Sequence, residues 1–395
     1  MAAIAVQDDF IQQRYSRYAS LRDEGPVTEA VTPRGMKFWL VTRYEDAKVV
    51  LSDPTVSKDR DTMDRVLGWN QDGKYARALV AHMLNTDPPK HTRLRKLVSK
   101  AFTPGMVDRL RPRIEQITSD LLDEMATHDR VDLLDAFAFP LPITVICELL
   151  GVPEGRQDEF RQWSNLVMSS EKWDKIAGAT QAMSAYLKDM IATLRAHPDD
   201  ALMSALIQAS EDGDQLNEED LVAMAFLLMI AGHETTVNLI GNGVYALLRN
   251  PDQLELLKSD PSLLPGAVEE FLRFDSPLDH STLRVTTEPL QVGDVLVPEH
   301  QIVVVSLVSA NRDGDRFADP DRLDITRKAG GHLAFGHGIH YCLGAPLARL
   351  EGKVAIGQLF ARFPDLALAV DPADLRWRFS TLIHGLQSLP VLVNG

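Results

Sequence analysis

Apolar residues recur at three- and four-residue spacing along most of this chain, the mark of amphipathic helices with one buried face. Leu110, Ile114, Ile117, Leu121 and Met125 form one such stripe. The pattern predicts helices over about 12–23, 43–51, 91–102, 106–126, 136–150, 157–168, 174–194, 218–248, 251–258, 264–274 and 346–362. Asn217 followed by Glu218, Glu219 and Asp220 reads as an N-cap with acids in the first helical turn. Short apolar or alternating runs are fewer and predict strands at 38–42, 283–286, 290–292, 295–297, 302–305 and 389–393. A polar Pro/Asp/Arg-rich stretch, 310–327, lacks periodicity and is expected to be an ordered loop. The sum is a mainly α fold with a small antiparallel β region. No linker, charge block or repeat divides the 395 residues, so one large domain over 1–395 is expected.

Charge narrows the partners. A net charge of −15 argues against nucleic acid. The longest apolar run, 221–232, is too short to cross a bilayer and reads as a buried helix, so no membrane is expected. The first ten residues carry Asp8 and Asp9 without a basic-then-apolar signal pattern, which predicts a cytoplasmic location. Cys147 and Cys342, far apart, give neither a disulfide framework nor a zinc pattern. One basic cluster stands out: Lys90, Arg93, Arg95, Lys96 and Lys100 within eleven residues that contain no acid. It is either a solvated helix face or a patch for an acidic protein.

Candidate chemistry concentrates in Phe335-Gly336-His337-Gly338-Ile339-His340-Tyr341-Cys342-Leu343-Gly344. A cysteine here ends a glycine-punctuated loop just before a predicted helix, whose N-terminal N–H groups favour a thiolate. Gly336, Gly338 and Gly344 allow close approach to a flat partner or positive φ, and Phe335 offers an aromatic face. Two plainer readings stand beside that one. A lone cysteine is commonly a small buried hydrophobe, and a glycine loop before a helix commonly binds phosphate.

A second group interrupts the most hydrophobic predicted helix, Ala231-Gly232-His233-Glu234-Thr235-Thr236. A carboxylate and two hydroxyls there must be satisfied, either by bonding back to the preceding turn or by function. Glu270 and Arg273 are neighbours on one helix face, as are His91 and Arg95.

The ten-residue string resembles the cysteine-loop signature of the cytochrome P450 family, matching at Phe335, Gly336, Gly338, His340, Cys342 and Gly344. The likeness runs from about residue 9 to 393 and is nearest to soluble actinobacterial members that tailor macrolides or hydroxylate steroids and secosteroids. It implies haem b with Cys342 as the iron ligand. His91, Arg95, Arg284 and His340 match the residues that hold the haem propionates. Glu234 and Thr235 match the acid–alcohol pair that supports proton delivery during dioxygen activation, with Ala231 and Gly232 forming the oxygen groove. Glu270, Arg273 and Arg322 match an ion network that places the cysteine loop. Residues 381–386 match a β-turn entering the substrate pocket, for which Met83, Leu84, Leu227, Ile230, Leu278 and Ile383 are the candidates. Residues 57–84, with Gly68, Trp69 and Gly73, are expected to form a mobile cover.

The resemblance thus implies a monooxygenase that inserts one oxygen atom from O2 into a C–H bond of a bulky hydrophobic molecule, a macrolide or polyketide, or alternatively a steroid or secosteroid. With no flavin or iron–sulfur segment, electrons are expected from ferredoxin and ferredoxin reductase, docking near Arg93, Lys96, Arg349 and Lys353. The protein itself is expected to be a monomer. A haem-binding sensor, a cofactor-free helical interaction protein and a peroxide-driven peroxygenase are the competing classes.

Overall fold

The computed structural model describes residues 3–68, 79–153, 155–168, 173–211 and 213–394. Trp69 and Gly73 of the expected cover lie outside the described residues. The chain forms two compact units, neither continuous in sequence: one holds 1–57, 115–139 and 235–395, the other 58–114 and 140–234.

The first unit is built on a six-stranded sheet ordered Ile4–Ala5, Val27–Val31, Lys37–Val41, Ile302–Val305, Arg284–Thr286, Val56–Ser57. Ile4–Ala5 runs parallel to Val27–Val31, and Ile302–Val305 parallel to Lys37–Val41. The main sheet is therefore mixed, where an antiparallel region was expected. Side chains alternate with period two in either direction, so the pattern carries no information on strand polarity. Ile302–Val305 sits inside the sheet and is buried along its whole length, which explains its unbroken apolar run. Against it pack Tyr44, Ala47, Val50 and Leu51 from the Tyr44–Ser52 helix. The two expected strands Leu290–Val292 and Val295–Val297 pair antiparallel as a hairpin, turning at Gly293 with φ of 55°.

The second unit is helical among its described residues apart from a two-strand hairpin, Ser210–Glu211 with Asp214–Gln215. Lys90–Ala101, Pro140–Leu150, Gln157–Met168 and Trp173–Ala196 fall where the periodicity places them. Arg60–Leu67 and Leu202–Gln208 do not, nor does the four-residue Leu307–Ala310 of the first unit, because about two turns or fewer give too few repeats to register. Asp59 caps the first of these, accepting from Thr62 N at 3.0 Å.

One helix, Glu218–Arg249, contributes to both units, which divide between Glu234 and Thr235. It is long and apolar enough to cross a membrane, but 67% of its most apolar window is buried within the structure. Such a helix is ordinary in the core of a globular protein.

Candidate functional site

In the first unit, Cys342 is exposed whereas Cys147, in the second, is fully buried. Burial pushes the Cys147 thiol up to about 12, so it is an inert core side chain. The loop before Cys342 is a chain of turns: Gly336 N donates to Leu333 O at 2.8 Å, Tyr341 N to Gly338 O at 3.1 Å, and Cys342 N to Phe335 O at 2.9 Å. Gly336 and Gly338 both have φ of 74°, which only glycine adopts without strain. A Cβ on Gly336 would point into open space, whereas one on Gly338 would lie 2.8 Å from the Leu51 carbonyl oxygen. Gly344, with φ of −77°, needs neither reason; it is the N-cap residue of the Ala345–Arg362 helix, which begins three residues after Cys342.

The loop is braced from behind. The Arg349 guanidinium lies 4.5 Å from the Phe335 ring centroid and bonds Glu269 at 2.6 and 2.9 Å. His332 Nε2 lies 3.2 Å from the same carboxylate. Burial alone would raise the Glu269 carboxyl, but the hydrogen bonds from His332 and Arg349 bring it down to about 2.

Deeper in the same unit, Arg273 makes a bidentate pair with Glu270 at 2.7 and 2.9 Å, both side chains fully buried. The third member is Arg327, whose Nε lies 3.2 Å from Glu270 Oε1. Arg322 was the expected partner; its side chain is instead 69% exposed and pairs with Asp324 at 3.2 Å. Only its carbonyl oxygen faces the network, 3.5 Å from Arg273.

The remaining first-unit candidates occupy distinct elements. Arg284 is buried on the Arg284–Thr286 strand, and His340 is half-buried in the Gly338–His340 turn. Leu278 and Ile383, distant in sequence, are direct partners in an antiparallel β-bridge. Thr235 lies half-buried on the long helix, while Thr236 is buried and bonds Glu351. Burial pushes the Glu351 carboxyl up to about 8 against that hydrogen bond.

In the second unit, His91 and Arg95 share the Lys90–Ala101 helix. Burial, then the Arg95 charge, lowers the pKa of His91, with Lys58 adding to the effect. Lys58 is itself only 3% exposed, and His82 beside it is held neutral, its pKa lowered to about 3 by burial and by the Lys58 charge. Buried Lys58 and half-buried Arg95 thus put positive charge beside two histidines that burial keeps neutral, with Asp87 the opposing charge at His91, and an added anion would favour the protonated histidines. The sequence reading missed Lys58 and His82, which have no helical spacing to the other two. Arg93 turns elsewhere, to Asp214 at 2.6 Å and Asp220 at 2.9 Å. Its charge is thus taken up within the unit, which removes it from the expected docking patch. Arg349 is likewise engaged with Glu269.

Met83 lies in the short Met83–Asn85 turn and is buried, while Leu84 is half-buried. On the long helix Leu227 is buried, Ile230 half-buried and Ala231 exposed. Ala231 and Thr235, four residues apart, thus mark an accessible face in the middle of an otherwise buried helix. Gly232 packs on Ile146, whose Cδ1 would lie 2.9 Å from an added Cβ. Glu234 is 4% exposed. His233, fully buried, has Nδ1 2.8 Å from Met229 O and Nε2 3.1 Å from Ser164 Oγ. The carbonyl can only accept, so Nδ1 carries the proton and Nε2 accepts from the serine.

Comparison with known proteins places these residues in a family. The family model described as cytochrome P450 matches residues 143–372. Vitamin D(3) 25-hydroxylase of Pseudonocardia autotrophica is 50% identical over 384 residues, covering 97% of this chain and 94% of the relative. 6-Deoxyerythronolide B hydroxylase of Saccharopolyspora erythraea is 45% identical over 399 residues, covering 98% of each. The tirandamycin C-bound structure of the P450 monooxygenase TamI superposes with a TM-score of 0.92 at 52% identity, covering 99% of this chain and 100% of that one.

Proposed function

The chain belongs to the cytochrome P450 family, and from that premise we propose that it hydroxylates a bulky hydrophobic natural product of the macrolide or polyketide class. Membership makes it a haem-dependent monooxygenase, which sets aside the sensor and interaction-protein readings. When bound, haem supplies the dioxygen activation and C–H oxidation.

The residues present fit that group. Cys342 offers an exposed sulfur at a helix N-terminus, beside a loop whose Gly336 leaves the space a Cβ would fill. We assign Cys342 as the residue whose thiolate would hold the haem iron, a role that the inert, buried Cys147 cannot take. His91, Arg95, Arg284 and His340 are assigned to the propionates. Buried Lys58 adds positive charge beside His91, and neutral His82 adds a hydrogen-bonding side chain. The Glu269–Arg349–Phe335 contacts hold the cysteine loop in place.

Glu234 and Thr235 are assigned to proton delivery. Thr235 lies on the accessible face of the long helix, where its hydroxyl can hold a water, and Glu234 is the neighbouring acid that connects to proton donors. Ala231 on the same face leaves room for a diatomic molecule. His233 is excluded from this work because Ser164 and Met229 engage both its nitrogens. Leu278, Ile383, Leu227, Ile230, Met83 and Leu84 are assigned to the substrate walls; all are aliphatic, and they orient by shape.

Electrons come from a ferredoxin and its reductase. With Arg93 and Arg349 paired internally, we assign the docking charge to Lys353 on the post-cysteine helix. The enzyme is placed in the cytoplasm as a monomer with neither nucleic acid nor membrane as partner; its net charge of −15 supports the first exclusion.

The observation that carries the substrate class is the full-length likeness to 6-deoxyerythronolide B hydroxylase. A second reading, a secosteroid substrate, is favoured by the likeness to vitamin D(3) 25-hydroxylase. Spin-state titration separates them. A low-to-high-spin shift with 6-deoxyerythronolide B at concentrations where vitamin D3 gives none supports the first; the reverse supports the second.

A further inference from the structure

Leu278 and Ile383 do not meet by chance of packing. Their segments run antiparallel, with His384 N donating to Pro277 O at 2.8 Å and Asp279 N to Leu382 O at 2.9 Å. Two buried polar clusters stand directly behind that pairing, and both are completed by the Arg14–Glu24 helix near the N-terminus. In one, Tyr18 donates to Asp279 Oδ1 at 2.7 Å and lies 3.0 Å from His280 Nε2, while Arg14 pairs with Asp279 at 2.8 Å. His280 Nδ1 in turn bonds the Thr381 carbonyl oxygen, tying the two segments together.

In the other cluster, Tyr15 donates to Asp275, and His384 Nε2 lies 2.9 Å from both. Trp377 stacks on His384 at 4.2 Å. From the opposite side Asn242 donates to His384 O at 3.0 Å and Asp275 O at 3.1 Å. Burial would raise both aspartates, yet His384 at Asp275, and His280 and Arg14 at Asp279, hold them below the ordinary carboxylate range. Each cluster places a hydrogen-bonded aspartate within three residues of Leu278, and His384 stands next to Ile383.

An apolar pair alone would be free to slide, because dispersion contacts are non-directional. Hydrogen bonds to charged groups are directional and short-ranged. We propose that Tyr15 and Tyr18 are positioning residues for the substrate: through Asp275–His384 and Asp279–His280 they fix where Leu278 and Ile383 stand. This rests on the assignment of that pair to the substrate wall. An N-terminal helix that touches no substrate then sets the shape of the pocket.

The test uses holoenzyme and two probes, imidazole and 4-phenylimidazole, titrated by the Soret shift. Imidazole reports the iron site, and the added phenyl ring reports the walls. Tyr15→Phe and Tyr18→Phe are expected to leave imidazole affinity unchanged and to change 4-phenylimidazole affinity by about threefold to tenfold, the scale of coupling between contacting residues. In a Leu278→Ala/Ile383→Ala background the same tyrosine substitutions should have no effect on that ratio, because both residues they act through are gone. If Ile383→Ala and Leu278→Ala themselves leave the ratio unchanged, the wall assignment fails. If those two move it but neither tyrosine variant does, or if the tyrosine effects persist undiminished in the Leu278→Ala/Ile383→Ala double variant, the positioning role is overturned. A purely structural role would lower Tm without shifting the ratio.

Discussion

Arg327, not Arg322, completes the buried ion network: its Nε stands 3.2 Å from Glu270 Oε1, while the Arg322 side chain is 69% exposed beside Asp324. The two arginines lie five residues apart on an irregular segment where no period tells inside from outside. Removing a cation from a fully buried carboxylate leaves desolvation uncompensated. Arg327→Ala should therefore destabilise by about 2 kcal/mol, since Arg273 still pairs with Glu270. Arg322→Ala should stay within about 0.5 kcal/mol. Thermal unfolding of the two variants checks the contrast.

Glu351 predicts a loss of stability on the alkaline side. Its carboxyl is pushed up to about 8 in the folded chain from an ordinary value of 4.5. Between those values the folded state binds the extra proton, so stability falls as pH rises from about 4.5 to about 8, by up to about 1.4 kcal/mol per pH unit. Glu351→Gln keeps the shape and removes the titration. Denaturation of both proteins across that range should show a shallower slope in the variant.

Glu269 acts in the opposite direction. Its folded value of about 2 lies below the ordinary 4.5, so its contribution is present above pH 4.5 and is lost as pH falls toward 2. Arg349 and His332 are the partners that cease to be held. Acid titration of Glu269→Gln should lose part of the wild-type slope in that window, and its cysteine-loop environment, read by the Soret band, should broaden at neutral pH.

Arg93 separates folding from docking. Because it is committed to Asp214 and Asp220, Arg93→Ala should lower Tm and leave ferredoxin-supported turnover and its salt dependence nearly unchanged. Lys353→Glu should do the reverse, weakening ferredoxin use several-fold at low salt and less at high salt. Steady-state kinetics over an ionic-strength series distinguishes the two variants.

Thr235→Ala should uncouple the enzyme. Oxygen consumption should continue while product per oxygen falls, by about tenfold or more if the hydroxyl carries the general-acid relay. Thr236→Ala, on a buried residue that bonds Glu351, should lower stability and leave coupling intact. Parallel oxygen-electrode and product assays measure both ratios.

The sequence was most legible where periodicity ran long or a motif was dense. Gln157–Met168 and Leu264–Phe274 match their expected bounds because each carries a full amphipathic stripe between clear breakers. The cysteine loop was readable because glycine at 336 and 338 answers to a backbone demand that no other residue meets cheaply. Sheet polarity was not readable, since pairing direction leaves no trace in a two-residue repeat. Nor were Lys58, His82, Tyr15 and Tyr18. Each of these takes its environment from side chains far away in the chain, or from no spacing that marks a face. The two-carboxylate framework behind Leu278 and Ile383 joins residues more than 250 positions apart, and only the fold brings them into one place.

The most direct test of the whole account is the ferrous carbonyl spectrum of the purified holoenzyme and of two variants, Cys342→Ser and Cys147→Ser. The account predicts the red-shifted Soret band of thiolate ligation in the wild type and in Cys147→Ser, and its loss in Cys342→Ser. A wild-type spectrum without that band, or a band that survives in Cys342→Ser, would contradict it.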